Sequence, residues 1–209
     1  MKAYYRIGAA AVVFIIVLAG ALHYRSNRLQ ADLSEQILRF HVIANSDSEE
    51  DQELKLKVRD KIGAYLGKEL GQAANLEECE KTVQKHLPDI ERCAKTILEE
   101  EGYAYSVEAK ISDTKFPKKT YGSYTFPKGE YRALTVVIGS GSGKNWWCVM
   151  YPNLCFSGSM YEVIDENSKE ELRAVLSEED YAEIMAEGEL RVRFKYLDGL
   201  LSLFGVEEK

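Results

Sequence analysis

The sequence predicts one α+β domain, a mixed sheet layered against a three-helix region, carried behind an N-terminal export segment. Three observations predict it. Apolar residues recur at three- and four-residue steps from about Leu54 to Glu101, alternating and β-branched runs follow between Tyr103 and Tyr151, and a long uncharged run opens the chain. The chain divides accordingly into residues 1–21 as signal peptide or signal anchor, 22–36 as linker, and 37–209 as a single α+β domain.

At 209 residues, 45% hydrophobic and 29% charged, the chain is long and apolar enough to bury one core and lies far from disordered composition. Its formal charge is −7, and more negative by two once Lys2 and Arg6 of the leader are set aside. Such a surface repels phosphate, so no nucleic-acid partner is expected. The densest basic stretch, Lys115, Lys118, Lys119, Lys128 and Arg132, is interrupted by Glu130 and reads as a solvated loop.

Lys2 and Arg6 precede the uncharged run from Ile7 to Leu22, and Ala19-Gly20-Ala21 offers the small residues that a signal peptidase needs. The run is shorter than the ~20 residues that span hydrocarbon, which favours a cleavable signal, with an uncleaved anchor as the other reading. Membrane contact is expected only through this segment. Ala21 stands where a lipoprotein signal would need cysteine, so lipidation there is excluded.

Ile37 to Ala44 is rich in Ile, Val and Phe and predicts a strand. Asp47 with Glu50 and Ser48 with Asp51 both have capping-box spacing, and a long helix follows with Leu54, Val58, Ile62, Tyr65, Leu66 and Leu70 inward and Lys55, Lys57, Arg59 and Asp60 mostly outward. Gly67 and Gly71 weaken and end it. Asn75 with Glu78 starts a second helix, and a third runs from Asp89 to about Glu101, with Pro88 separating the two. Tyr103, Tyr105, Val107, Ala109 and Ile111 alternate with polar residues as a half-buried strand, and Lys115 to Gly129, with two prolines and two glycines, reads as a surface excursion. Tyr131 to Ile138 predicts a central strand; Gly139-Ser140-Gly141-Ser142-Gly143 turns the chain into another from Trp146 to Tyr151. Ser168 with Glu171 and Ser177 with Asp180 predict two short capped helices, Arg191 to Tyr196 a late strand, and Leu197 to Phe204 a terminal helix.

Export would place the four cysteines where disulfides persist. Cys148 and Cys155 bracket a turn at Pro152-Asn153 that a bridge could close. Cys79 and Cys93 sit on the apolar stripes of neighbouring helices, and two readings stay open for them, a bridge across a helical hairpin or two buried thiols. Their spacings form no CxxC pairs, and His23, His41 and His86 show no ligand pattern, so no metal and no cofactor are predicted. The glycine-rich loop before Lys144 is no phosphate loop, since Ile138 and Asn145 stand where that motif needs Gly and Ser or Thr. Cys148 as nucleophile, with His41 oriented by Asp47, defines the alternative reading of a secreted hydrolase; a carboxylate is its other possible catalyst.

Arg39-Phe40-His41-Val42-Ile43-Ala44-Asn45-Ser46-Asp47, Asp51-Gln52 with Leu54 to Asp60, and Asn145-Trp146-Trp147-Cys148-Val149 with Pro152 and Leu154-Cys155-Phe156 together resemble the stage II sporulation protein R family. The likeness also takes in Thr120-Tyr121-Gly122, Pro127, Gly129, Tyr131, Ala133-Leu134 and Gly139; Asn153 stands where the family has a second proline. The resemblance implies a non-enzymatic signalling protein secreted between the forespore and mother-cell membranes. Its partner would be a membrane-embedded aspartic protease that processes the sigma factor E precursor. On that reading Phe40, His41, Asn45 and Asp47 at a strand end, with Trp146, Trp147, Pro152 and Phe156 on a hairpin, are the candidate partner-binding residues; the opposing reading makes the tryptophans simple core.

Overall fold

The computed structural model describes residues 2–70, 73–154 and 166–189; Cys155, Phe156, and the strand and helix expected beyond Arg191 lie outside these residues. The described elements are α1 (Lys2–Ser34), β1 (Leu38–Ile43), α2 (Glu49–Glu69), α3 (Leu76–Lys85), α4 (Leu87–Glu100), β2 (Val107–Phe116), β3 (Lys119–Tyr121), β4 (Tyr124–Phe126), β5 (Gly129–Ile138), β6 (Asn145–Tyr151), α5 (Glu166–Val175) and α6 (Glu178–Glu189). The fold is mixed α+β, as the sequence predicts.

Four strands form the main sheet in the order β2-β5-β1-β6. β1 runs parallel to β5, with Phe40 opposite Leu134, and antiparallel to β6, with Phe40 opposite Cys148; β2 is antiparallel to β5. One face carries Phe40, Val42, Leu134, Val136 and Cys148 into the predicted three-helix layer, where Leu54, Val58 and Ile62 of α2, Val83 of α3, and Ile90 and Ala94 of α4 cover them. On the other face Tyr131, Ala133 and Val149 meet Leu29 and Leu33 of α1, Tyr124 and Phe126 of β4, and Leu172 and Ile184 of the last two helices.

Side-chain caps set the helix starts. Ser48 accepts from the Asp51 N–H at 3.2 Å, Asn75 from the Glu78 N–H at 2.9 Å and Ser177 from the Asp180 N–H at 3.1 Å, each satisfying a donor the helix leaves orphaned. Pro88 does not separate α3 from α4 but sits in the first turn of α4, where its missing N–H costs nothing. Gly102, at φ 81°, ends α4 while the Tyr103 N–H returns to Leu98 O, so β2 starts at Val107 and not at Tyr103. α5 begins at Glu166, which puts Ser168 inside the helix and not at its cap.

Three expectations are corrected. Residues 22–34 are not linker but the continuation of α1, because Leu29 and Leu33, four residues apart, present a narrow apolar stripe that is fully buried. The excursion from Lys115 to Gly129 is not surface loop: β2 extends to Phe116, and β3 and β4 then pair as a hairpin around Gly122, with Tyr124, Thr125 and Phe126 buried. Its glycines and prolines punctuate short strands. Lys55 and Arg59 do not point outward; they are only 5% and 3% exposed and extend from Asp51 in four-residue steps along α2.

Candidate functional site

Two loops meet at the C-terminal ends of the parallel pair β1 and β5, and every candidate residue from Phe40 to Asp47 is drawn into that junction or the core beneath it. Asn45 donates from Nδ2 to Asp51 Oδ2 at 2.9 Å, and its Oδ1 accepts from the Ser140 N–H at 3.0 Å. Gly143 N–H donates to Ala44 O, and Asp47 Oδ1 accepts from the Lys144 N–H at 2.6 Å. Behind them Lys55 Nζ reaches Gln52 Oε1 at 2.6 Å and Lys144 O at 3.1 Å. The glycine-rich turn is thereby fastened to the loop from Ala44 to Ser48. A Cβ on Gly143 would lie 2.1 Å from Ser46 O, so only glycine admits this approach. Burial pushes the Asp51 carboxyl upward, but hydrogen bonds from Ser46, Asn45 and Tyr105 outweigh it and hold it below the usual carboxylate range. Burial lowers the Lys55 ammonium, and neighbouring Arg59 adds to the effect.

The two tryptophans occupy opposite faces of β6, each half-buried. Trp146 meets the Phe40 ring edge-on, centroids 5.4 Å apart, under the Arg59 guanidinium at 5.1 Å. Trp147 stacks on His41 at 3.8 Å and 15°, and meets Phe116 at 4.6 Å. Pro152 is buried after a cis peptide bond from Tyr151. Phe40 is fully buried and serves the core.

His41 is 3% exposed, and among the described residues neither ring nitrogen has a partner in hydrogen-bonding geometry. Burial lowers its pKa to about 4, with Asn145 opposing and Arg39 reinforcing the shift. The unfolded chain therefore takes up this proton first as pH falls, so the stabilising contribution is full above the ordinary pKa of 6.5 and is lost as pH drops through the window toward 4. At about 1.4 kcal/mol per unit, wild type should lose about 2–3 kcal/mol of unfolding free energy from this group across that window. Urea titrations at several pH values test it: His41→Phe, which keeps the stacked ring, should show a shallower acid loss than wild type, and parallel curves would refute the assignment.

Cys148 and His41 do not meet. Cys148 pairs with Phe40 across the strands and faces the three-helix layer, whereas His41 pairs with Trp147 and faces the opposite side. Asp47, expected to orient the imidazole, is engaged with Lys144. Cys79 and Cys93 are free thiols, which decides between their two readings; burial pushes the Cys79 thiol up to about 12 and raises that of Cys93. Among the described residues no group of His, Cys, Asp and Glu could hold a metal ion.

Three residues that sequence reasoning passed over organise this region. Arg39, fully buried, donates from Nε to Cys148 O at 2.8 Å and from Nη2 to the Tyr121 hydroxyl at 3.2 Å, and Tyr121 donates to Trp147 O at 2.9 Å. These bonds take up carbonyls of β6, and Leu154 N–H takes that of Val149 at 3.3 Å. The third is Lys55, whose spacing of four from Asp51 and Arg59 was the available signal.

Fold and geometry thus define an α+β domain whose loops at the ends of β1 and β5 are braced by buried polar groups and whose first helix runs on from the core into a bare apolar segment. The chain belongs to the stage II sporulation protein R family, whose description matches residues 34–161. It is 32% identical over 187 residues to the stage II sporulation protein R of Bacillus subtilis (strain 168), covering 85% of this chain and 84% of that protein. No solved structure matches.

Proposed function

We propose that the chain is an exported or membrane-anchored signalling protein of endospore formation, acting between the forespore and mother-cell membranes to activate a membrane-embedded aspartic protease that processes the sigma factor E precursor. Family membership supports the sporulation role. The observation that carries the extracytoplasmic reading is α1: Val12 to Val17 are 56% to 68% exposed on every side of the helix, a surface that water does not favour and that a translocon or bilayer would cover. The described residues contain no helix long and apolar enough to cross a membrane. With Ile7 to Ala11 added from the sequence, the run suits an export signal or short anchor.

A non-catalytic ligand activates a protease by binding its active form better than its inactive form. The half-buried Trp146 and Trp147, held from below by Arg59 and His41, are the proposed contact, and the separation of Cys148 from His41 leaves the hydrolase alternative without its catalytic pair. The bridge from Cys148 to Cys155 belongs to this proposal, because with Cys79 and Cys93 free the remaining two cysteines can pair only with each other. Purified protein unfolded without reductant should therefore titrate two thiols of its four. Four thiols would remove the bridge. Co-purification of the exported domain with the protease, and precursor cleavage that stops when the chain is deleted, test the function; full cleavage in its absence would overturn it.

A further inference from the structure

Beyond the end of β6 lies a cavity of about 280 Å³ between the C-terminal end of α2, the turn at Asn153, and α5. Leu70, Ala73, Met150 and Val175 give it apolar walls, while Tyr151 and Glu171 supply polar groups. Its volume is at or below the lower end for small-molecule sites, roughly 300 Å³, so it suits one long side chain better than a free metabolite. Glu171 is its acid. One carboxylate oxygen accepts the Asn153 N–H at 3.1 Å, which fixes the group to the turn that follows Pro152. Burial first, then the neighbouring Cys79 and Glu171, raise the Tyr151 phenol above its ordinary pKa, so it stays neutral and hydrogen-bonding. Among the described residues no lysine, arginine or histidine lines the cavity. Cys79 at its wall is no nucleophile, its thiol being pushed up to about 12 by burial.

We infer that this cavity receives a single lysine or arginine side chain of the partner protease, its aliphatic stem on the apolar walls and its cation on Glu171. An apolar occupant would bring the carboxylate no countercharge beyond the Asn153 N–H it already accepts, and an acidic one would be repelled by it and by a chain of net charge −7. A long basic side chain satisfies walls and acid together. The inference rests on the proposed ligand role and places part of the contact beyond the end of β6, the strand that carries the tryptophans.

The test uses the full chain in sporulating cells, with cleavage of the sigma factor precursor as readout. Glu171→Lys at this exposed position, and Ala174→Trp to obstruct the cavity, should each lower the cleavage rate at least ten-fold while export level and thiol count stay at wild-type values. Single Lys→Glu and Arg→Glu changes across the extracytoplasmic segments of the protease should restore Glu171→Lys at one position. Wild-type cleavage by both exported variants would overturn the pocket, and loss that no protease change restores would overturn the basic occupant. If cleavage persists when the entire chain is deleted, the ligand role itself has failed, an outcome distinct from either.

Discussion

Arg39→Ala is expected to destabilise the domain by about 3–5 kcal/mol, the range for removing a large buried side chain, whereas Arg39→Met should cost less than half as much. The guanidinium is fully buried, 4.3 Å from the Phe116 centroid, 5.1 Å from Tyr131 and 5.4 Å from Phe126. Its partners are a carbonyl and a phenol, and among the described residues Nη1 has none and no carboxylate neutralises it. Desolvation accordingly lowers its pKa. The charge is thus the costly part of the residue and the flat, long side chain the stabilising part, since it fills space between three aromatic rings and ties the β3–β4 hairpin to β6. Methionine keeps most of the volume and drops the charge; alanine keeps neither. Urea denaturation with unchanged m-values measures both. Equal losses for the two substitutions would show that the hydrogen bonds, and not the packing, carry the effect.

The parts of this fold that were legible in the sequence are those set by neighbours in the chain. Ser48, Asn75 and Ser177 announce helix starts because a cap acts three residues away, and β5 announces itself through its β-branched run. What stayed hidden depends on distant residues. Leu29 and Leu33 look like isolated leucines in a polar linker until the second sheet face, built far along the chain, supplies the surface that buries them. Lys55 and Arg59 read as solvated charge, yet the Lys144 carbonyl and the Trp146 ring, each more than eighty residues on, receive them. The candidate site shows the same division. Asn45 and Asp47 stand out as polar residues at a strand end, but their partners in the glycine-rich turn come only with the parallel pairing of β1 and β5.

Two truncations of α1 should therefore give opposite results for folding. Removing Lys2 to Ala21 deletes no described side chain that is buried: those of Val12 to Leu18 are 48% to 68% exposed. The shortened chain should fold with wild-type stability, stay in the cytoplasm, and leave precursor cleavage at background. Removing Lys2 to Ser34 also deletes Leu29 and Leu33, both 0% exposed, and the Arg25–Glu183 pair at 2.6 Å. At about 3–5 kcal/mol for each buried leucine truncated, the loss approaches or exceeds the ~5–15 kcal/mol by which domains of this size are stable. That chain should be largely unfolded when purified. Circular dichroism and urea titration distinguish the two, and equal stability would show that α1 is not part of the core. Joining an unrelated cleavable secretion signal to Leu22 then separates transit from anchoring. Restored cleavage means that the apolar run serves only to carry the domain across. Continued silence from a folded, exported domain means that α1 must remain in the bilayer, because a helix that is continuous from the apolar run to the core would hold β6 and its tryptophans at a set height above the membrane in which the proposed protease partner would sit.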